Sequence, residues 1–308
     1  MKIFLETTYM NKNSYQVIID TYKEHTFTFV EESDCEAIVG VFHGKDLSYF
    51  DQFKNLKWFL LITAGFDHID LDYFKKRNIT VTNGQGVYDI QIAEDVIAKM
   101  LFFNRRMDQY HDQMKSHLWK HQAPHYELYQ NQVLILGAGS IGQLIAKRLK
   151  SFEMDIIGYK RTFESLPNFD HIITSNDDLE TYLKTCDYLI VSLPLNQHTK
   201  HFVSDHRLSL LKPTCLIVNI ARGEIIDQDA LIKYLKAKKI RGAALDVVTP
   251  EPLPKDHELW DIDQVFLSPH NASASPMMHQ RRLDLVFDLL QMYREEKPLK
   301  HVVIRGKL

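Results

Sequence analysis

The chain has 308 residues, of which 45% are hydrophobic and 25% charged, with a formal net charge of −3. That length accommodates two domains, and the composition is ordinary for a globular protein. A nearly neutral balance without blocks of like charge argues against a dedicated binder of nucleic acid or of membrane surfaces, which would carry a basic face. Neither partner is expected.

The three cysteines, Cys35, Cys186 and Cys215, are far apart and form neither a CxxC pair nor a zinc spacing. They read as buried thiols in a reducing compartment, and no metal is expected. The opening segment lacks the apolar core of a signal peptide. The longest apolar stretch, 58–62, is too short to span a bilayer and reads as a buried strand. The expected setting is the cytosol.

In chain order, strands are predicted at Ile3–Leu5, Phe27–Val30, Ala37–Val41, Trp58–Thr63 and Ile79–Thr82, with a helix at Asp70–Arg77. Alternation of this kind predicts a parallel α/β sheet. From about Asp89 to Leu118 the apolar positions Ile92, Val96, Met100, Phe103 and Met107 have helical spacing. A polar stretch, Trp119–Asn131, reads as a linker on the surface. A second α/β series follows, with strands at Val133–Leu136, Ile156–Tyr159, Tyr188–Leu193, Leu216–Ile220, Ala243–Val247 and Val265–Leu267. A helix fits at Asp229–Lys239, another covers about Pro276–Tyr293, and a short tail ends the series.

The second series opens with strand, glycine turn and helix: Val133–Leu136, then Gly137, Gly139 and Gly142 in a GxGxxG run. In that context the run reads as a dinucleotide site. Gly137 permits the tight turn, Gly139 lets backbone approach a pyrophosphate, and Gly142 lets the helix pack on the strand. The helix start offers free N–H groups to phosphate. Ser140 and Ile141, between the glycines, belong to the same candidate cofactor site. An NAD site usually has Asp or Glu at the end of the next strand. Here that strand runs into Lys160, Arg161 and Thr162. Two cations and a hydroxyl suit a ribose 2′-phosphate, so NADP(H) is favoured, with NAD(H) possible.

Three turns follow at predicted strand ends, where open α/β sheets place ligands. They carry Arg222 in Asn219-Ile-Ala-Arg-Gly, Glu251 in Asp246-Val-Val-Thr-Pro-Glu-Pro, and His270 in Pro269-His-Asn-Ala-Ser273. A forked guanidinium, a carboxylate and an imidazole are residue types that suit anion binding and proton transfer.

With these turns in this order, the chain resembles the D-isomer-specific 2-hydroxyacid dehydrogenases, among them glyoxylate/hydroxypyruvate reductases, over essentially its whole length. The resemblance implies two Rossmann-like domains with a cleft between them. A flavodoxin-like substrate domain would comprise residues 1–95 plus 276–308, and the NAD(P)-binding domain residues 96–275. It implies reversible reduction of a small 2-oxo acid to the D-2-hydroxy acid, with Arg222, Glu251 and His270 catalytic. Leu193, Pro194, Thr199, Ile220, Ala221, Asp246 and Ser273 are then expected around the cofactor, with a capping role equally open for Asp246. Ala64 and Gly65, in a loop that would meet the substrate carboxylate, and Tyr88, which would shape the acyl pocket, join Arg222 and His270 at the substrate. The family commonly dimerises through the long helix and the arm after it, here about Asp89–Tyr129.

Two alternatives share the scaffold. Formate enzymes of this type replace the Glu partner with Gln, whereas Glu251 is present. A nucleotide-sensing transcriptional co-regulator can keep the catalytic trio, so turnover of a small acid is what separates that reading from an enzyme.

Overall fold

The computed structural model describes residues 1–41, 46–67, 69–121, 125–306 and 308. It has two compact units: Met1–Tyr88 with Ala274–Leu308, and Asp89–Ser273. The strands, in chain order, are β1 Lys2–Leu5, β2 Thr26–Thr28, β3 Ala37–Gly40, β4 Trp58–Leu61, β5 Thr80–Thr82, β6 Gln132–Leu136, β7 Asp155–Tyr159, β8 His171–Ile173, β9 Tyr188–Val191, β10 Leu216–Asn219, β11 Gly242–Leu245, β12 Val265–Leu267 and β13 Val302–Ile304.

The first unit carries the order β13-β5-β4-β3-β1-β2, parallel except for β13, which runs antiparallel to β5 with Val302 opposite Thr82. Leaving out β13, this is the flavodoxin-like order 2-1-3-4-5. Strand β4 is apolar at all four positions and buried at all four, as a strand covered on both faces requires. Its Trp58 Nε1 donates to Thr82 Oγ1 at 3.0 Å. The helix Leu71–Lys76 starts where the Asp70 carboxylate accepts from Asp72 N and Tyr73 N.

The second unit is a seven-stranded parallel sheet in the order β12-β11-β10-β9-β6-β7-β8. Counted from β6, this is 3-2-1-4-5-6-7, so strand order reverses between β6 and β9. A doubly wound sheet opens its ligand crevice at the carboxyl ends beside that reversal. Its core includes Leu134, Ile157, Leu189, Ile217, Ala243 and Leu245.

The structure departs from the sequence reading in three places. The long helical segment is two helices, Asp89–Asn104 and Met107–Lys115, broken at Arg106, whose φ is 52°. Asn104 explains the break: fully buried, it donates to Tyr188 Oη at 2.7 Å and accepts from Arg241 at 3.0 Å, so a polar knot ends the apolar stripe. Strands β8 and β13, three residues each, had no signal of their own. Of the linker at 119–131, residues 122–124 lie outside the described residues. All three cysteines are buried and free. Among the described residues no helix is long and apolar enough to cross a membrane.

Candidate active site

Strand β6 feeds the helix Ser140–Leu149 through the glycine turn. Gly137 has φ 106°, and a Cβ there would lie 2.7 Å from Ser192 O. A Cβ on Gly142 would lie 2.2 Å from Gly137 O. Both positions are closed to side chains by the protein itself. Gly139 differs: a Cβ there would meet nothing within 4 Å. Gly139 is the residue before the helix, and no side chain caps the helix start. Open space over uncapped N–H groups, with Ser140 and Ile141 in the first turn, is a cradle that fits the pyrophosphate of a dinucleotide.

The end of β7 is tied to this turn, since Tyr159 O accepts from Gly137 N at 2.9 Å and Ala138 N at 3.2 Å. Lys160, Arg161 and Thr162 follow it. Lys160 is ion-paired to Glu164 from its own loop, whereas Arg161 and Thr162 are exposed. After β9, Ser192 Oγ donates to Gly137 O at 2.9 Å, which joins the loop of Leu193 and Pro194 to the glycine turn. In that loop Thr199 Oγ1 donates to Pro194 O at 2.6 Å and accepts from Asn196 N at 2.8 Å, so its hydroxyl latches the loop.

The acid/base candidates come from the loops after β10, β11 and β12, which are successive neighbours. Half-buried Arg222 donates to Ala221 O at 2.6 Å, and Asn219 Nδ2 donates to Arg222 O at 3.0 Å. Ile220 and Ala221 are buried beneath it. Gly223 must be glycine, because a Cβ would lie 2.3 Å from the Val248 carbonyl. The Arg222 turn is thereby pressed on the turn that leads to Glu251. Glu251 Oε1 accepts from Val248 N at 3.0 Å, and Oε2 lies 2.8 Å from His270 Nδ1. Gln228 holds the Thr249 backbone from both sides, accepting from its N–H at 2.8 Å and donating to its carbonyl. Both Glu251 and His270 remain partly open to solvent, at 36% and 46% exposure.

Asp246 is 3% exposed. Its carboxylate accepts from Ser268 Oγ at 2.5 Å, Asn271 N at 3.0 Å and Ala272 N at 3.0 Å, and its carbonyl accepts from His270 N at 2.7 Å. Of the two roles open from sequence, this geometry is the capping one. Ser273 closes the same loop, its carbonyl accepting from Gln91 Nε2 at 3.0 Å.

In the first unit, the loop at 62–65 is knitted to the segment at 83–88. Asn83 Nδ2 donates to Ala64 O at 2.7 Å, Gly84 N to Thr63 O at 2.8 Å, and Tyr88 Oη to Ile62 O at 2.9 Å. Tyr88, expected to shape the acyl pocket, lies at the base of this loop. It is 7% exposed, and Arg282 donates to its hydroxyl twice at 3.2 Å. Burial raises the Tyr88 phenol above its ordinary value, with the Arg282 charge opposing. Tyr88 is a strut under the loop of Ala64 and Gly65.

Comparison with known proteins identifies the family. A family profile described as "D-isomer specific 2-hydroxyacid dehydrogenase, NAD binding domain" matches residues 97–272. The chain belongs to this family. It is 35% identical to a glyoxylate reductase of Thermofilum pendens over 264 residues, covering 82% of this chain and 76% of that protein. It is also 35% identical to one from Pyrococcus furiosus over 275 residues, covering 86% and 81%. Among solved structures, an acyclic imino acid reductase in complex with NADPH and D-Arg superposes with a TM-score of 0.84 at 25% identity, covering 99% of this chain and 100% of that one.

Against the family's motifs, sequence reasoning missed the residues that support rather than carry the chemistry. Gln228, Ser268 and the pair Asp95 and Lys99 escaped. The last pair had a signal, since two opposite charges four apart in an otherwise apolar helix stripe invite explanation.

Proposed function

We propose that this dehydrogenase-family member catalyses reversible NAD(P)H-dependent reduction of a small 2-oxo acid to the D-2-hydroxy acid, with NADP(H) preferred. The observation that carries the reading is the Glu251–His270 pair at 2.8 Å, on loops beside the Arg222 turn. Unit Asp89–Ser273 would hold the cofactor, and the unit of Met1–Tyr88 and Ala274–Leu308 would supply substrate-binding loops. Sequence placed these boundaries at 95/96 and 275/276. The glyoxylate reductases among the relatives make glyoxylate the first acid to test. The preference for NADP(H) rests on Arg161, exposed and without an ion pair among the described residues, at a strand end that lacks an acid.

A dinucleotide held over the Gly137–Gly142 turn would supply hydride chemistry at C2. The Arg222 guanidinium holds the substrate carboxylate. The N–H groups of Ala64 and Gly65, which make no hydrogen bond among the described residues, would be free to donate to an anionic group. Protonated His270 donates Nδ1–H to Glu251 and gives its Nε2 proton to the developing alkoxide. In oxidation neutral His270 takes that proton back from the hydroxyl. Lys160 can join Arg161 at a 2′-phosphate by leaving Glu164. The compartment that suits three buried free thiols is the cytosol.

The test is the oxidation rate of NADPH and NADH with glyoxylate, hydroxypyruvate, pyruvate, a branched 2-oxo acid and ketopantoate. Turnover with NADPH and one of them is expected. His270→Ala should lower kcat by about 10²–10⁴-fold with cofactor affinity unchanged. Tight cofactor binding without turnover of any acid would replace the enzyme reading with a nucleotide-sensing one.

A further inference from the structure

In the helix Asp89–Asn104 the apolar stripe runs through Ile92, Val96 and Met100, and helical spacing puts residue 99 on it. The chain has Lys99 there, 3% exposed. An ammonium at that depth requires charge compensation. Two carboxylates provide it: Asp95, one turn earlier and ion-paired to it, and Asp246, whose Oδ1 is 3.6 Å away. Burial pushes the Asp95 carboxyl up, with the Lys99 hydrogen bond opposing.

Asp246 is the residue that shapes the histidine loop. Its two carboxylate oxygens accept three hydrogen bonds from residues 268–272. His270 itself has φ 50°, a left-handed conformation that costs a non-glycine residue energy and must be imposed from outside. We propose that Lys99 is a positioning residue for the acid/base histidine: its ammonium anchors the Asp246 side chain, and that side chain holds the loop that aims His270. The proposal rests on the 2-oxo acid reductase function above. The charged and titratable groups around Asp246 are Lys99 and Asp95 from the helix, and His270 with its partner Glu251 from the loops. Without Lys99, Asp246 loses its ion pair, and the loop it holds is free to shift.

The experiment compares Lys99→Met and Lys99→Arg with the unaltered chain. It reads kcat, KM and NADPH affinity, and the imidazole ¹⁵N shifts of His270, assigned by difference with His270→Gln. In Lys99→Met, kcat should fall about ten- to hundredfold near neutral pH, because small misplacement of an acid/base group costs this much. KM and NADPH affinity should hold, and the His270 signals should move. Lys99→Arg should restore both kcat and the signals. Unchanged kcat and His270 signals in Lys99→Met would overturn the proposal. So would a loss that Lys99→Arg does not rescue. If Lys99→Met does not fold, Asp246→Asn decides: it should lower kcat and shift His270, and an unmoved His270 signal overturns the idea. Absence of turnover in the unaltered chain would defeat the proposed function, while the His270 signals would still decide the role of Lys99.

Discussion

Replacing two glycines of one turn should separate fold from binding. At Gly142 a Cβ would sit 2.2 Å from a backbone oxygen, which must retreat by roughly 1 Å before the alanine fits. Because the obstacle is main chain at the strand–helix junction, Gly142→Ala should cost about 2–3 kcal/mol. In a domain of this size that lowers Tm by about 4–12 °C. At Gly139 no atom lies within 4 Å of the added carbon, and φ −81°, ψ −161° is extended backbone open to any residue. Gly139→Ala should therefore leave stability unchanged or raise it by about 0.4–1 kcal/mol through the unfolded chain. The new methyl group would occupy the space over the helix start, where phosphate needs close approach, so NADPH should bind at least about tenfold more weakly, or ~1.4 kcal/mol. Calorimetry and fluorescence titration with NADPH measure the two effects separately. Equal losses of Tm in both variants, or full NADPH affinity in Gly139→Ala, would refute the assignment of the open space to the cofactor.

Three further outcomes are expected. In Glu251→Gln the amide oxygen should keep the Val248 N–H and turn its NH₂ toward His270 Nδ1, opposing the charged ring and selecting the wrong neutral tautomer. At partial exposure the lost attraction is about 1–2 kcal/mol, so kcat should fall at least about tenfold in both directions; a change confined to KM would contradict the role. Replacing Lys160 and Arg161 together should weaken NADPH far more than NADH, and equal losses would mean that neither residue reads the 2′-phosphate. Met107, Met114, Leu118 and Trp119 are exposed, Trp119 at 99%, on the segment that dimerises in the family. A homodimer is expected by light scattering, and Met114→Glu with Trp119→Glu should give a monomer; an unaltered chain that runs as a monomer would dismiss this interface.

The parts of this molecule legible from sequence are those where one local pattern has one physical meaning. The apolar run 58–61 fits a strand covered on both faces, and GxGxxG between strand and helix fits one tight-turn geometry. What escaped depends on distant partners. The three-residue strands β8 and β13 exist because β7 and β5 offer them an edge. The helix break at Arg106 follows from Asn104 meeting Tyr188 and Arg241. Nothing local to Tyr88 announces Arg282, 194 residues on, as the owner of its hydroxyl bond. In the candidate site, the groups that carry chemistry were visible as residue types. Gln228 and Ser268, which brace them, became visible only as distances.

The order of strands also bears on how such a protein can change over time. The glycine turn and the Arg161 loop follow β6 and β7, whereas Arg222, Glu251 and His270 follow β10, β11 and β12, with β9 between the two groups. At about 4.8 Å per strand, the outermost of these loops stand roughly 24 Å apart along the sheet edge. The candidate nucleotide-reading residues and the candidate acid/base residues thus stand on opposite flanks of one sheet. Under the proposed function, a lineage could exchange its reductant without relearning its reaction.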